Sequence, residues 1–506
     1  MQAYPTPFLG SHHALGAEQT WMTADGRYGP YGFGEDTDKN NRSRVDWDQV
    51  NWGQLQNGCF ERNRHRFPAT SILSGNLTAE PRLSWKNETK IGATILDPNS
   101  VNATRRTVLL LRAWSTFEYK PRNLWNIRSL IAETALRTGG EYSVVLFVHV
   151  QDRSMNIFQS RENYDAAFRA ANIPPELRSI SVLWDDHLLE SCTIFQVNQP
   201  VQLFALHYPE FDHYWQIEMD QWFLGDAGKY LDAVSAFARD EPRKQALERA
   251  TYAFNDDIYG TYDDFIGKVD LANNGMSRAW GAVEIPDIKP IGEMPPMANP
   301  ADDSSFTWGV GEEADLVVPS FCADVLQTEW WAFYSWIEGF TKGRDTPRWF
   351  CPPATMRASR RLLLAVHQAQ HDQGLILPSE ATLPSWALWH GLKLSYPPQP
   401  AYMRPHEPHF SGWRDDWTRD STQWLNTTVT PWFGNSTDQS RDGLAHGNPQ
   451  SRADDGLTFW WTSQYPRKIF DAWLAGDVED KSMPGILAVH EGNIYAPNIA
   501  MHPVKS

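Results

Sequence analysis

No stretch of the 506-residue chain reaches the roughly 18 consecutive apolar residues a membrane-crossing helix needs. The opening MQAYPTPFLGSHH lacks the basic start and apolar centre of a secretory leader. Cysteine is scarce: Cys59, Cys192, Cys322 and Cys351 are too scattered for a zinc spacing, and fit either one or two disulfides or four buried thiols. Positive charge is in deficit, with 45 Lys and Arg against 62 Asp and Glu. The net charge of -17 excludes a nucleic-acid binder, which needs a clustered basic face to meet phosphates. No G-x-S-x-G elbow of a serine hydrolase occurs, and there is no internal repeat.

Tryptophan is in excess, at 24 residues, and its large flat rings either pack cores or stack on sugar faces. At 41% apolar and 21% charged the chain is otherwise of ordinary globular composition. Six N-x-S/T sequons, at Asn41, Asn76, Asn87, Asn102, Asn426 and Asn435, lie towards the two ends and point to a secretory lumen.

Residues 1–104 are polar and have little periodicity apart from VDWDQVNWGQLQNGCFERN, which suits a short helix; the stretch reads as an N-terminal extension or stem. From residue 105 strands and helices alternate. TVLLLRAW, EYSVVLFVHVQD and SISVLWDD read as strands, with PRNLWNIRSLIAETALRTGG and NYDAAFRAANI as helices between them and QPVQLFALHYPEF as a helix after the third. That alternation predicts an α/β fold with a doubly wound, mainly parallel sheet. It divides at 105–285 and 286–506, the second part including helices over ADVLQTEWWAFYSWIEGF and MRASRRLLLAVHQAQHDQG and an irregular, aromatic-rich C-terminal region.

The chain is organised around FDHYWQIEMD, an apolar strand ending in Glu218, Met219 and Asp220. Residues two apart on a strand share a side, so two carboxylates meet where the strand leaves the sheet, the edge at which α/β folds gather ligands. Carboxylate oxygens suit a hard divalent cation, although in so acidic a chain a solvated strand end gives the same triplet. The segment Gly309 to Ala314 has the letters of a dinucleotide fingerprint, but no strand opens it and its two carboxylates would repel a pyrophosphate. What remains is a turn after Trp308 presenting Glu312, Glu313 and Asp315, either a general base or an acidic loop in water. His390 with Lys393, and His502 with Lys505, each set an imidazole three residues from an ammonium, a pair able to complete a cation's shell and neutralise a phosphate, or simply to pack at a surface.

Taken together, VDWDQVNWGQLQNGC, RTVLLLRAW, NIRSLIAETALRTGGEY, YWQIEMD, WGVGEEADL, LWHGLKLSY and MHPVK resemble the fungal domain of unknown function numbered 3405. The order of parts is similar in turn to glycosyltransferases of the A type, whose D-x-D triplet holds manganese against a nucleotide sugar. The triplet here departs from that pattern at its first position and keeps its last. The resemblance implies a catalytic region over 105–506, with 105–285 binding the nucleotide and 286–506 on the acceptor side. It implies Mn²⁺ or Mg²⁺ on Asp220, Glu218 and His390, with His502 as substitute; Arg112, Asp185, Trp308 and Lys393 near the nucleotide and its phosphates; and Glu313, Glu312 or Asp315 as the acid acting on an acceptor hydroxyl. The expected activity is transfer of a sugar from a nucleotide-sugar donor to a glycan or glycoprotein in the secretory pathway, in the Golgi lumen, with any membrane anchor upstream of the given chain. A glycoside hydrolase and an inactive carbohydrate-binding protein are the rival expectations.

Overall fold

The computed structural model describes residues 3–35, 45–67, 83, 104–188, 197–251, 254, 256–319, 322–324, 336–351, 355–404, 457–459, 463–480 and 483–504. The six sequons, Cys192 and Lys505 lie outside the described residues. In chain order the strands are β1 (Trp21–Met22), β2 (Thr107–Trp114), β3 (Tyr142–Val150), β4 (Ser181–Asp185), β5 (His213–Glu218), β6 (Trp222–Phe223) and β7 (Leu316–Val317). They continue with β8 (Ala323–Asp324), β9 (Trp349–Phe350), β10 (Thr355–Ser359), β11 (Leu394–Ser395), β12 (Ala488–His490), β13 (Asn493–Pro497) and β14 (Ala500–Met501).

Seven of these form a mainly parallel sheet in the order β11-β7-β10-β5-β2-β3-β4, so the expected α/β class and its sheet are present. β2 and β3 carry unbroken apolar runs because both of their faces are covered, and Val108 to Leu111 and Val144 to Val148 are buried. The helices Pro121–Leu130, Arg161–Ala170 and Gln199–His207 fill the crossovers, the first continuing as a π-helix over Ile131–Leu136. From β2 the chain moves outward to β3 and β4, then returns to place β5 on the other side of β2. The reversal falls between β2 and β5, a switch point of the kind beyond whose carboxyl ends α/β folds gather ligands, and there Arg112 and Glu218 lie in register.

The chain forms two compact units. One comprises Tyr28–Met219 and Arg357–Asp372. Within it the helix Trp52–Asn63 is an integral part, so residues 45–67 are not a free stem. Its Gln56 side chain donates to the Val144 carbonyl at 3.1 Å and accepts from the Val144 N–H at 2.7 Å. β4 joins β3 only from Leu146 onward, and Gln56 completes the ladder that would otherwise end in two orphaned groups. Trp52 Nε1 donates to Glu176, which also receives a two-pronged bond from Arg128 at 2.6 and 3.0 Å.

The other unit comprises Met1–Arg27, Asp220–Met356 and Gln373–Ser506. Here too the N-terminal residues are built in: Leu9 exchanges both backbone bonds with Ala401, and β1 pairs antiparallel with β13. Single bridges and two-residue strands leave no periodic trace in a sequence, which is why this stretch reads as irregular. The helix expected over ADVLQTEWWAFYSWIEGF is not what its described ends adopt. Ala323–Asp324 is β8, paired with β9, while Glu338 bridges Ile376 and a Cys322–Cys351 disulfide joins the flanks of the β8–β9 pair. Residues 325–335 lie outside the described residues. The helix expected from Met356 begins instead at Arg360, because Thr355 to Ser359 are all buried as a sheet strand.

Candidate metal centre

β5 ends at Glu218, and after a turn at Met219 and Asp220 the chain runs into β6. β14 comes back antiparallel along β6, pairing Ala500 with Phe223 and Met501 with Trp222. The pairing extends at both ends: Leu224 N–H donates to the Ile499 carbonyl at 2.9 Å, and Val504 N–H to the Asp220 carbonyl at 2.7 Å. This short ladder brings the His502 side chain to Asp220, with Nε2 3.2 Å from Oδ1. The His502 N–H is held by the Thr458 carbonyl at 3.0 Å, and the His502–Pro503 peptide is cis. His502 is only 2% exposed, whereas the Asp220 side chain is 27% exposed, so the imidazole is fixed by packing while the carboxylate faces water.

One ligand atom each from Glu218, Asp220 and His502 lies within 4.8 Å of the others. Two ligands on opposite sides of a divalent ion stand about 4.4 Å apart, so side-chain adjustments of a few tenths of an ångström would let all three reach one ion. Two carboxylates and an imidazole are a mixed oxygen and nitrogen donor set for a divalent cation, and the imidazole suits a first-row transition ion better than Mg²⁺ or Ca²⁺, which both prefer oxygen ligands. The expected approach of an imidazole to Asp220 is therefore made by His502. Among the described residues this cluster does not include His390. Arg112 stands beside it, with Nη1 3.5 Å from Glu218 Oε1.

Along the carboxyl edge of the same sheet, Trp114, His149 and Trp184 occupy matching positions on β2, β3 and β4. The His149 ring stacks on Trp184 at 4.0 Å and 9°, its Nε2 lies 2.8 Å from Asp186 Oδ1, and Arg153 holds the other Asp186 oxygen at 2.8 Å. Burial lowers the His149 pKa, with Asp186 acting in the opposite direction. Trp114 is 41% exposed, so the row ends in an accessible ring. Sequence reasoning missed this row. The signal was there: His149 and Trp184 each stand one residue before the end of neighbouring parallel strands. Asp185 is buried, accepting from the Ile157 N–H at 2.9 Å, and it fixes the loop after β3.

The acidic turn forms a second cluster. Glu312 pairs with Arg243 at 2.9 Å and Glu313 with Arg239 at 3.4 Å. Asp303 accepts from the Thr307 and Trp308 N–H groups and holds the start of the turn. Trp308 lies under the Arg243 guanidinium at 5.1 Å and edge-on to Trp280 at 4.6 Å. Asp315 is buried and accepts from the Lys393 N–H at 3.2 Å. The Lys393 ammonium donates to the carbonyls of Arg239, Gly309 and Glu312 at 2.8, 2.5 and 2.8 Å, so it ties the turn to the end of the helix Ala227–Asp240. Burial pushes its pKa down to about 8 despite Glu241 and Glu312 nearby. His390 closes the helix Ser379–His390, buried, with Nδ1 3.1 Å from the Lys289 carbonyl, and burial lowers its pKa.

A search of curated proteins finds no match. Residues 22–506 match the family model described as Protein of unknown function (DUF3405). With nearly the whole chain covered, the protein belongs to the DUF3405 family.

Proposed function

We propose that the protein is a metal-dependent glycosyltransferase with an A-type fold, moving a sugar from a nucleotide donor to a glycan or glycoprotein. The observation that carries this is the meeting of Glu218, Asp220 and His502 within 4.8 Å, just beyond the carboxyl end of β5. Asp220, His502 and Glu218 would hold Mn²⁺ or Mg²⁺, which when bound supplies electrostatic stabilisation to a departing diphosphate. Arg112 adds a fixed positive charge beside Glu218 for the same polyanion. The row of Trp114, His149 and Trp184 offers flat faces on which a nucleobase stacks. Glu313 takes the proton of the acceptor hydroxyl as that oxygen attacks the anomeric carbon in an inverting transfer, while Arg239 orients its carboxylate.

The Cys322–Cys351 disulfide and the six sequons support a secretory compartment, the Golgi lumen among them, since disulfides persist where thiols are not kept reduced. The test is a thermal-stability screen of UDP-, GDP- and CMP-sugars with and without Mn²⁺, because a ligand bound only by the native state raises its melting temperature. Stabilisation by one nucleotide sugar that requires Mn²⁺ is the expected result. Stabilisation by free glycans alone, indifferent to metal and nucleotide, would replace this function with carbohydrate binding or glycoside hydrolysis.

A further inference from the structure

Between β13 and β14 the chain turns a corner at Asn498, four residues before His502, and Asn498 is only 5% exposed. Its backbone N–H donates to the Tyr4 hydroxyl at 2.9 Å and its side-chain amide to the Glu18 carbonyl at 3.2 Å. The Tyr4 hydroxyl in turn donates to the Thr20 carbonyl. On the opposite side Asn498 rests directly on Gly225. A Cβ at Gly225 would fall 1.9 Å from Asn498 Oδ1 and 2.7 Å from its Cβ, both closer than real atoms approach. Gly225 does not have a left-handed φ, so the position demands glycine for space and not for backbone freedom.

This contact stands at one end of the ladder that carries His502. Ile499 bonds to Leu224, the residue before Gly225, then Ala500 and Met501 pair with Phe223 and Trp222, and Val504 reaches Asp220. A displacement at Asn498 therefore shifts the register of the imidazole against the carboxylate. We propose, resting on the cation reading of Glu218, Asp220 and His502, that Asn498 seated on Gly225 is a positioning residue: it sets the His502 imidazole and thereby the protein's affinity for a divalent cation. It touches neither substrate nor cation.

The test measures Mn²⁺ affinity from the EPR signal of free Mn²⁺, and imidazole coordination from the nitrogen modulation in pulsed EPR of the bound ion. Gly225→Ala should lower affinity by about 10- to 100-fold, the usual cost of losing support behind a ligand, and abolish the nitrogen modulation while Asp220 and Glu218 still bind weakly. The double variant Gly225→Ala with Asn498→Gly removes the clashing atoms along with the side chain, and should restore the modulation and bring the affinity back only to about that of Asn498→Ala alone. Asn498→Ala, which introduces no clash, should weaken binding by about tenfold and serves if Gly225→Ala fails to fold. Wild-type affinity and modulation in both single variants would overturn the assignment. Absence of Mn²⁺ binding from the unaltered protein would instead remove the cation reading itself, and the positioning role with it.

Discussion

Replacing Asp220 by asparagine isolates the charge at the proposed centre from its shape. Asparagine keeps the volume and an oxygen able to accept from His502 Nε2, which lies 3.2 Å from Oδ1 in the native protein. With the Asp220 side chain 27% exposed, weakening its contact with His502 should cost the metal-free fold no more than about 1 kcal/mol. Metal binding is another matter. At a hundredfold excess over its dissociation constant a ligand adds about 2.7 kcal/mol to the native state. Melting entropy is about 2.1 cal/mol/K per residue, so the 506-residue chain has roughly 1 kcal/mol/K, and the metal should raise Tm by about 2–3 °C in a single transition. Asp220→Asn should erase that shift, move the metal-free Tm by about 1 °C or less, and lower turnover by at least about 10²-fold. Glu218→Gln should do less, because Arg112 already draws on Glu218. Calorimetry with and without Mn²⁺ decides the matter: an asparagine variant that keeps the native Mn²⁺ shift and turnover would refute the metal assignment.

Three further outcomes are expected. Glu313→Gln should lower kcat by about 10²- to 10⁴-fold with the donor KM nearly unchanged, and a changed donor KM at constant kcat would move Glu313 to the nucleotide site. Cys322→Ser with Cys351→Ser should cost about 3–4 kcal/mol in denaturant unfolding, from the loop closed by a bridge with a sequence separation of 29; an unchanged midpoint would show that the unfolded chain is not constrained by it. Burial lowers the His12 pKa from 6.5 to about 4, so the unfolded chain takes up that proton first as pH falls. The stability contributed by neutral His12 is full above pH 6.5 and is lost down to about pH 4, by about 3 kcal/mol in total, and His12→Gln should flatten the pH dependence by that amount. Parallel pH profiles for the two proteins would count against a buried neutral ring.

What could be read in advance follows from which forces leave a local pattern. Strands β2 to β5 were legible because strands covered on both faces carry largely apolar runs, and Asp220 stood out because it follows one of them. In residues 3–35 and 45–67 the helix Trp52–Asn63 was legible, but the way these stretches are built into the fold was not. Their contribution is made by side-chain bonds such as Gln56 to Val144 and by isolated bridges such as Leu9 to Ala401, which impose no period. At Met356 to Ser359 a helical run was overridden by a place in the sheet, and at Ala323–Asp324 by pairing with β9.

The two histidine and lysine pairs show where spacing stops being informative. His390-Gly-Leu-Lys393 and His502-Pro-Val-Lys505 have the same separation, yet only one imidazole meets a carboxylate of the cation cluster. His390 ends a helix, where the left-handed Gly391 turns the chain away and the ring packs beside the Lys289 carbonyl. Its lysine is consumed by three backbone carbonyls, and the value of that ammonium lies in holding the acidic turn still. His502 follows a strand, and the strand's partner begins just after Asp220, so pairing alone carries the ring to the carboxylate. A ligand is thus defined by the register of the element that bears it, and register is decided by residues such as Gly225 and Asn498 that carry no chemistry of their own.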